Sequence, residues 1–180
     1  MREISLHILD LVQNSITAGA KVVKIEIIED LTSDLFQFMI EDDGCGMSEE
    51  FLLSVTDPFT TTRTTRKVGM GISLTKAACE SCGGSFEITS RLNVGTRLTA
   101  GFRHSHIDRQ PLGDIAHTVS QLIMLNPDMD FIYTHQFNGQ SFELSTINMR
   151  EILEGVALNT PDVVAFISNY IEENLSELVN

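Results

Sequence analysis

The chain has 180 residues, with 12 Lys and Arg against 25 Asp and Glu, and a formal net charge of −13. This length can bury a full core and hold one domain with an appendage. The acidity argues against duplex DNA as a partner, because DNA binding requires positive charge that neutralises phosphates. We therefore expect no nucleic-acid partner.

The sequence also shows no pattern typical of a membrane-spanning segment or a secretory signal. No apolar stretch approaches the length that spans a bilayer, and the start at Met1 does not resemble a signal peptide. Three cysteines without a disulfide framework suit a reducing compartment. We expect a cytoplasmic protein without a membrane partner.

The first predicted element is a helix from Arg2 to Ala18, which is apolar around most of its circumference. Its polar residues are spaced by three and four and form one narrow stripe, consisting of Glu3, His7, Asp10, Asn14 and Thr17. A mostly buried helix with such a stripe should turn it towards a pocket, a ligand or a partner. Asp10 and Asn14 lie one turn apart and offer oxygens to a hydrated Mg²⁺. The alternative is a surface helix whose polar side meets water.

A buried strand is predicted from Leu35 to Ile40, followed by Glu41-Asp42-Asp43-Gly44-Cys45-Gly46-Met47. A carboxylate at the tip of a buried strand, followed by glycines that allow a tight turn, makes a pocket floor with a fixed acceptor. Asp42 is positioned to accept a hydrogen bond from an exocyclic amine such as that of adenine. Asp and Gly also form ordinary turns, so this motif alone is a weak signal.

Residues 57–71 concentrate hydroxyl groups and three of the scarce cations beside Gly69-Met70-Gly71. Such groups hold phosphate oxygens, and the predicted helix from Ile72 to Cys82 adds its N-terminal N–H groups. The alternative is a flexible Thr-rich surface loop. No P-loop motif occurs, and a Rossmann site is disfavoured because the third glycine is missing.

Two alternating runs, Gly83–Ser90 and Gly95–Phe102, predict paired strands joined by a turn around Asn93. Gly95-Thr96 either completes a nucleotide pocket or forms only a turn. Cys79 and Cys82 form a Cys-x-x-Cys pair, which we interpret as the end of a helix rather than a zinc or redox site.

The remaining chain predicts a boundary near 104–111 and then a small acidic unit. We expect a helix, a hairpin around Asn138-Gly139 and two further helices, at Ile115–Leu125, Asp130–His135 with Ser141–Ser145, Met149–Leu158 and Pro161–Leu178, with Thr160 capping the last. A single hairpin is not stable alone, so it should pack on the preceding sheet or on a partner chain. His104 and His106 are interpreted as linker residues, and His117 as a surface residue.

In this order, the motifs resemble the GHKL family of ATPases, which contains gyrase, the ninety-kilodalton heat-shock chaperone, histidine kinases and MutL. The resemblance covers Glu3 to Phe102. The run Leu9–Ala20 resembles the N box in its MutL form, and Pro58-Phe59-Thr60-Thr61-Thr62-Arg63 resembles the lid entrance of histidine kinases. Gly69, Gly71 and Leu74 fall on the GxGLxL box, and Gly95-Thr96 on the late Gly-Thr.

The resemblance implies a Bergerat-type ATP-binding fold over residues 1–104, an α+β two-layer sandwich, with an acidic C-terminal extension over 105–180. It implies ATP and Mg²⁺ as cofactors, with Asn14 and Asp10 at the metal and Asp42 at the adenine amine. The residues expected to bind the nucleotide are Asn14, Asp42, Gly44, Gly46, Met47, Phe59, Thr60, Thr61, Thr62, Arg63, Lys67, Gly69, Met70, Gly71 and Thr96.

Two departures from the family leave the activity open. Asp10 stands where gyrase, the chaperone and MutL have a glutamate that activates water, and where histidine kinases tend to have asparagine. The segment Thr60–Val68 is short, as in the kinases. We therefore expect phosphoryl transfer to water in an ATP-driven switch, with Asp10 as the catalytic group, or transfer to a protein partner.

Two further readings of the site stay open. The chain is either a stand-alone kinase of the anti-sigma-factor or histidine-kinase type, or a nucleotide sensor without turnover. A protein partner, or self-association through the C-terminal extension, is expected in addition to ATP.

Overall fold

The protein is described here by a computed structural model that covers residues 2–56 and 70–179. Its first elements are α1 (Ile4–Thr17), β1 (Val22–Asp30), β2 (Leu35–Asp42), α2 (Glu49–Thr56), α3 (Gly71–Ser81), β3 (Phe86–Arg91) and β4 (Gly95–Arg103). The later elements are α4 (Ile115–Leu125), β5 (Asp130–Phe137), β6 (Gln140–Ser145), α5 (Thr146–Leu153) and α6 (Pro161–Val179). In this part of the chain, one six-stranded sheet has the order β3-β4-β2-β1-β5-β6.

One face of this sheet carries the apolar core. β1 and β2 are antiparallel, so that Ile25 lies opposite Ile40 and both point to the same side. Alternate residues of the central strands are buried beneath the helices, namely Val23, Ile25, Ile27, Phe36, Phe38, Ile40, Leu98, Ala100, Phe102, Phe131 and Tyr133. The alternation follows from the period of two along a strand, which sends neighbouring side chains to opposite faces.

The other face of the sheet is charged. Glu41 forms ion pairs with Lys24 at 3.1 Å and with Arg97 at 3.3 Å, and all three side chains are partly exposed. In the described ranges, the helices pack on the apolar face, and the predicted α+β two-layer sandwich is confirmed.

The C-terminal hairpin extends the same sheet. β5 runs parallel to β1, with Tyr133 opposite Ile25, and β6 pairs antiparallel with β5. Asn138 and Gly139 form the turn with φ of 48° and 87°. The expectation that the hairpin packs on the preceding sheet is thus confirmed. The boundary between residues 104 and 105 remains a prediction, and the sheet is continuous across it.

Two elements were absent from the sequence prediction. β1 was missed although its apolar and charged residues alternate, and α2 was missed because it is short. Both matter for function, since β1 holds the sheet together and α2 contributes a wall of the main cavity.

Two predictions about the C-terminal helices were wrong. The helix expected at Met149–Leu158 lies at Thr146–Leu153, because the Ser145 hydroxyl accepts from the Asn148 N–H and Glu154 ends the helix with φ of 46°. The last helix begins at Pro161 as predicted, but Thr160 does not cap it. Its hydroxyl is buried without a hydrogen-bond partner among the described residues.

None of the helices in the described ranges has both the length and the hydropathy needed to cross a bilayer.

Candidate nucleotide-binding site

A cavity of about 380 Å³ opens between α1 and the ends of β2, β3 and β4. α2 and the start of α3 complete its walls. It is lined by Leu11, Asn14, Ser15, Thr17, Ala18, Ile40, Asp42, Cys45, Gly46, Met47, Phe51, Ile72, Ile88, Thr96 and Leu98. Most of these side chains are apolar and a few polar groups converge among them, which is typical of a small-molecule site.

Asp42 occupies the last inward position of β2, in the row of Phe38 and Ile40. Its Oδ2 accepts a hydrogen bond of 2.6 Å from the Ser15 hydroxyl, and its Oδ1 accepts one of 2.9 Å from the Gly44 N–H. An ionised carboxylate has about four acceptor sites. Asp42 therefore retains acceptor sites that can receive a hydrogen bond from a ligand in the cavity.

The neighbouring carboxylate serves a different purpose. Asp43 Oδ1 accepts from the backbone N–H groups of Lys21 and Val22, at 2.7 and 2.9 Å, and so ties this turn to the start of β1. Burial opposes ionisation of Asp43, but these donors outweigh it and lower the pKa of the carboxyl. Of two adjacent aspartates, only Asp42 lines the cavity.

The polar stripe predicted on α1 divides into two parts. Asn14 and Thr17 line the cavity, and the Asn14 side-chain nitrogen is buried without a partner among the described residues. His7 instead lies behind the cavity, with Nδ1 2.9 Å from the Thr75 hydroxyl and Nε2 2.9 Å from Gln110 Oε1. Burial lowers the pKa of His7, against the opposing effect of the hydrogen bond between its Nε2 and Gln110 Oε1.

The rim of the cavity is built from Gly46, Met47, Ser90 and Thr96. A Cβ at Gly46 would overlap the Arg91 carbonyl oxygen, and φ of 63° favours glycine there. The Met47 N–H donates to the Ser90 hydroxyl at 2.8 Å, and that hydroxyl lies 2.8 Å from Thr96 Oγ1. These bonds hold the turn after β2 against the β3–β4 hairpin.

Of residues 57–71, which are expected to bind the phosphates, the structure describes only Met70 and Gly71. Gly71 is the first residue of α3, and a Cβ on it would overlap Asp10 Oδ2, so this carboxylate lies directly at the helix start. Met70 precedes it and is exposed. Asp10 is not among the cavity-lining residues. The other predicted groups lie outside the described residues, namely Phe59, Thr60, Thr61, Thr62, Arg63, Lys67 and Gly69.

Several residues of the site escaped the sequence prediction, among them Ser15, Cys45, Phe51 and Ser90. Ser15 follows Asn14 directly, but nothing in its position shows that it reaches Asp42. Cys45 and Phe51 line the cavity, and Ser90 holds its rim. Ser90 and Thr96 each end an inward row of their strand, a pattern that alternation could have revealed.

The remaining cysteines are structural. Cys79 and Cys82 are buried and free, and burial raises the pKa of the Cys79 thiol to about 12. A thiol of this kind is unreactive at neutral pH. The interpretation of the pair as a helix end agrees with these surroundings.

The family model of histidine kinase-, DNA gyrase B- and HSP90-like ATPases matches residues 2–106. Because this range is more than half of the chain, the chain belongs to that family and contains an ATP-binding domain of its type. The resemblance inferred from the motifs is thereby confirmed.

The sequence is similar to those of several bacterial proteins, and two of these similarities each extend over about half of this chain. One is the non-motile and phage-resistance protein of Caulobacter vibrioides, 30% identical over 115 residues, which are 58% of this chain and 14% of that protein. The other is the sensor histidine kinase YvrG of Bacillus subtilis, 26% identical over 98 residues, which are 52% and 17%. The chain thus spans a small fraction of these relatives.

Solved structures show the same fold at low sequence identity. The ATPase domain of Aquifex aeolicus MutL complexed with ADP has a TM-score of 0.56 and 16% identity, over 86% of this chain and 70% of that one. The N-terminal domain of a DNA repair protein has a TM-score of 0.57 and 16% identity, over 81% and 53%.

Proposed function

We propose that this protein binds Mg²⁺-ATP in the cavity and transfers the γ-phosphoryl group to water, acting as an ATP-driven conformational switch. The proposal rests chiefly on Asp42, a carboxylate held by two donors on the floor of a largely apolar cavity. A flat purine ring suits such walls, and its 6-amino group suits the remaining acceptor sites of Asp42.

Asn14 in the cavity wall and Asp10 at the start of α3 suit a triphosphate and its metal. The buried Asn14 nitrogen, which has no described partner, is a donor for a phosphate oxygen, and the first N–H groups of α3 lie beside Asp10. Mg²⁺ prefers oxygen ligands and usually takes one or two carboxylates together with substrate phosphates. In this proposal Asn14 and Asp10 hold the ion, which would neutralise charge on the phosphates.

The catalytic group is proposed to be Asp10. A carboxylate beside the phosphates can accept a proton from the attacking water and orient it. Aspartate is one methylene shorter than the glutamate of gyrase, the chaperone and MutL, so we expect slow turnover. Slow hydrolysis is sufficient for a switch. The ATP-bound and ADP-bound states of the protein then last long enough for each to make different contacts with a partner or with a second copy of the chain.

A route to the C-terminal third supports the switch. His7 contacts Thr75 on α3 and Gln110 in the connection before α4. The N–H groups of Ile4 and Ser5 donate to the carbonyls of Pro111 and Leu112. A shift of α1 or α3 on nucleotide binding would therefore move the chain that leads into residues 105–180.

The proposed output is a contact with another protein or with a second copy of this chain. Residues 104–180 contain 2 cations and 11 acidic residues, which favours a protein partner over a nucleic acid. The free, buried thiols of Cys79 and Cys82 agree with a cytoplasmic location, which is part of this proposal.

The similarity to sensor kinases supports a second candidate. In it the chain phosphorylates a separate protein, and Asp10 mainly assists Mg²⁺ binding. The two candidates differ in the acceptor of the phosphoryl group, so the same assay distinguishes them.

The test combines nucleotide binding with ATP turnover. Cys45 is exposed and lines the cavity, whereas Cys79 and Cys82 are buried. Mg²⁺-ATP should therefore slow the alkylation of Cys45 about tenfold or more, since a bound ligand blocks access, while the two buried thiols stay unlabelled throughout. Mass spectrometry of the alkylated peptides gives all three rates in one experiment.

Turnover is then measured with wild type and Asp10→Asn, which keeps an oxygen for Mg²⁺ but lacks the charge of a base. In a hydrolysing switch, Asp10→Asn should lose turnover while ATP still protects Cys45. Protection without turnover in the wild type would support the kinase or a sensor. No protection of Cys45 at millimolar Mg²⁺-ATP would show that the site assignment is wrong.

A further inference from the structure

The outer side of α6 carries a row of four residues that is half aromatic and half acidic. These residues are spaced by four, three and four positions and therefore lie on one side of the helix, namely Phe166, Tyr170, Glu173 and Glu177. The row, which we call the α6 stripe, lies beside the residues that anchor the same helix in the core. Its two ends offer different chemistry to a partner.

The aromatic half of the α6 stripe is an exposed stack that continues into the fold. The rings of Phe166 and Tyr170 are stacked with their centroids 6.0 Å apart, and Phe166 is 57% exposed. The Tyr170 ring meets the edge of Phe142 on β6 at 6.1 Å, and its hydroxyl donates to the Glu143 carbonyl at 3.2 Å. These contacts orient Tyr170, so that the stack is a preformed apolar surface of the kind that anchors protein partners.

The acidic half lies at the end of the helix where negative charge is least favourable. The free carbonyl groups at the C-terminal end of a helix favour cations and disfavour carboxylates. Glu173 and Glu177 are exposed in the last two turns of α6, and the last turn contains no basic residue. Among the described residues, neither glutamate forms an ion pair.

The cations of the same third of the chain are engaged elsewhere. After residue 103 the sequence has only two, Arg109 and Arg150. Arg109 donates to the His104 carbonyl at 2.7 Å, and Arg150 donates to Asp130 at 3.0 Å. A cation that compensates the end of α6 therefore has to come from another molecule.

We propose that the α6 stripe is a docking surface for a basic amphipathic segment of a partner protein. An apolar residue of that segment would pack on Phe166 and Tyr170, and its Lys or Arg residues would lie beside Glu173 and Glu177. Since a helix rises about 1.5 Å per residue, these cations should lie roughly 10–17 Å from the apolar anchor. This inference rests on the proposed function only in treating the contact as the output of the switch, because the contact itself requires no nucleotide.

A second copy of this chain fits the α6 stripe less well than a basic partner does. Two stripes packed antiparallel around a two-fold axis would bring Glu173 and Glu177 of one copy beside Phe166 and Asp162 of the other, so that acid would face acid. Residues 104–180 contain 2 cations and 11 acidic residues, so two copies also repel each other at longer range. Nucleic acids and anionic membrane surfaces are disfavoured for the same reason.

The experiment uses synthetic helical peptides as probes of the surface. The first, the Lys–Leu peptide, has about 20 residues, with Leu on one face at spacings of three and four and Lys at the other positions. A Glu–Leu peptide replaces every Lys by Glu, and a Lys–Ser peptide replaces every Leu by Ser. Fluorescence anisotropy of the labelled peptides gives their Kd values for the purified chain at low and at physiological ionic strength.

Two variants each remove one half of the α6 stripe. Phe166→Ala removes the exposed ring, and the double variant Glu173→Gln with Glu177→Gln removes the two charges. Both changes are made at exposed positions, so the fold should be retained, and thermal unfolding verifies this.

Matched controls make the same kind of change elsewhere. Leu92→Ala removes an apolar side chain that is 56% exposed in the turn between β3 and β4. Glu80→Gln with Glu87→Gln removes two exposed charges on α3 and on β3, the strand at the other edge of the sheet from β6. These controls separate a local surface from the general negative charge of the chain.

We expect wild type to bind the Lys–Leu peptide at least tenfold more tightly than either other peptide. Phe166→Ala and the double Gln variant should each weaken it about tenfold, and the double variant should also bind with less dependence on salt. The controls should stay within twofold of wild type. Glu173→Lys with Glu177→Lys should transfer the preference to the Glu–Leu peptide, which a merely structural role of the glutamates would not do.

Two results contradict the proposal. One is that wild type binds the three peptides alike, or binds none at about 100 µM. The other is that the control variants weaken binding as much as the stripe variants, since the general charge of the chain would then account for it. Protection of Cys45 by Mg²⁺-ATP, measured on the same proteins, tests the proposed function separately. Its loss in wild type would contradict that function and leave the result at α6 unchanged.

Discussion

Two carboxylates, Asp42 and Glu29, end inward-facing rows of neighbouring strands at opposite ends of the sheet. Asp42 follows Ile40 on β2 and lies opposite Val23 at the start of β1. Glu29 follows Ile27 on β1 and lies opposite Phe36 at the start of β2. They have similar places in the pleat and entirely different surroundings.

The cluster around Glu29 closes on itself. Its two oxygens lie 3.1 Å from Nε2 of His104 and 3.1 Å from Nε2 of His135, and His135 Nδ1 lies 2.8 Å from the Tyr133 hydroxyl. His104 is therefore a structural residue rather than the plain linker residue expected from the sequence. Burial opposes ionisation of Glu29, but the two histidine contacts outweigh it and lower the pKa of the carboxyl.

The cluster around Asp42 stays open to the cavity. Ser15 and Gly44 each donate one hydrogen bond to Asp42, and the nitrogen of Asn14 has no partner in the described residues. Buried polar groups are normally satisfied, and a group that is not satisfied calls for a ligand or water. A binding site thus differs from a structural cluster in its unused hydrogen-bonding groups beside a cavity, rather than in burial or charge alone.

The largest effect is expected from Asp42→Asn. Loss of a charged acceptor should weaken ATP about 10- to 100-fold, because hydrogen bonds to charged groups contribute roughly 1.5–3 kcal/mol. Thermal unfolding without nucleotide should change little. Asp43→Asn is the control, since Asp43 bonds to the β1 backbone, and it should change ATP affinity less than twofold. Equal losses of ATP affinity in the two variants would show that Asp42 does not bind the nucleotide directly.

Glu29→Gln tests the closed cluster. A glutamine side chain has one oxygen and one NH₂ group, so only one of the two histidines keeps an acceptor. We therefore expect a loss of about 1–3 kcal/mol in the free energy of unfolding, measured with urea. The affinity for ATP should stay within twofold of wild type. Glu26→Gln, on the same strand, serves as the control.

The same variant has a defined pH dependence. The pKa of Glu29 is lowered from 4.5 in the folded state, so its contribution to stability is present above that value and disappears as pH falls through the folded pKa. The stability difference between wild type and Glu29→Gln should thus be large at pH 7 and shrink below about pH 4.5. A difference that grows on acidification would contradict the assignment.

The smallest effect is expected from Ser90→Ala. This change leaves the Met47 N–H without its acceptor and loosens the rim, which should weaken ATP about fivefold, the equivalent of roughly 1 kcal/mol. Thr89→Ala, next to it on the exposed side of β3, should have no measurable effect. If both variants bind ATP like wild type, the rim does not contribute to binding.

Much of the fold was predictable because its signals are local. The apolar alternation of Phe36, Phe38 and Ile40 predicted a buried strand, and Asn138-Gly139 predicted the hairpin turn. β1 carries the same kind of alternation and was overlooked. The error at α5 arose because a local cap at Ser145 starts that helix three residues before the expected Met149.

Local sequence patterns were sufficient to recognise the family, the order of its motifs and Asp42 as the acceptor at a strand tip. Those features depend on residues that are close in sequence, because the spacing of apolar residues and the presence of turn-forming residues determine the local backbone conformation. Three contacts are visible only in the folded protein, namely those of Ser15 with Asp42, Ser90 with Met47 and His104 with Glu29. These pairs come together when helices pack on the sheet or strands pair, and hydrogen bonds between distant residues leave no mark on local spacing.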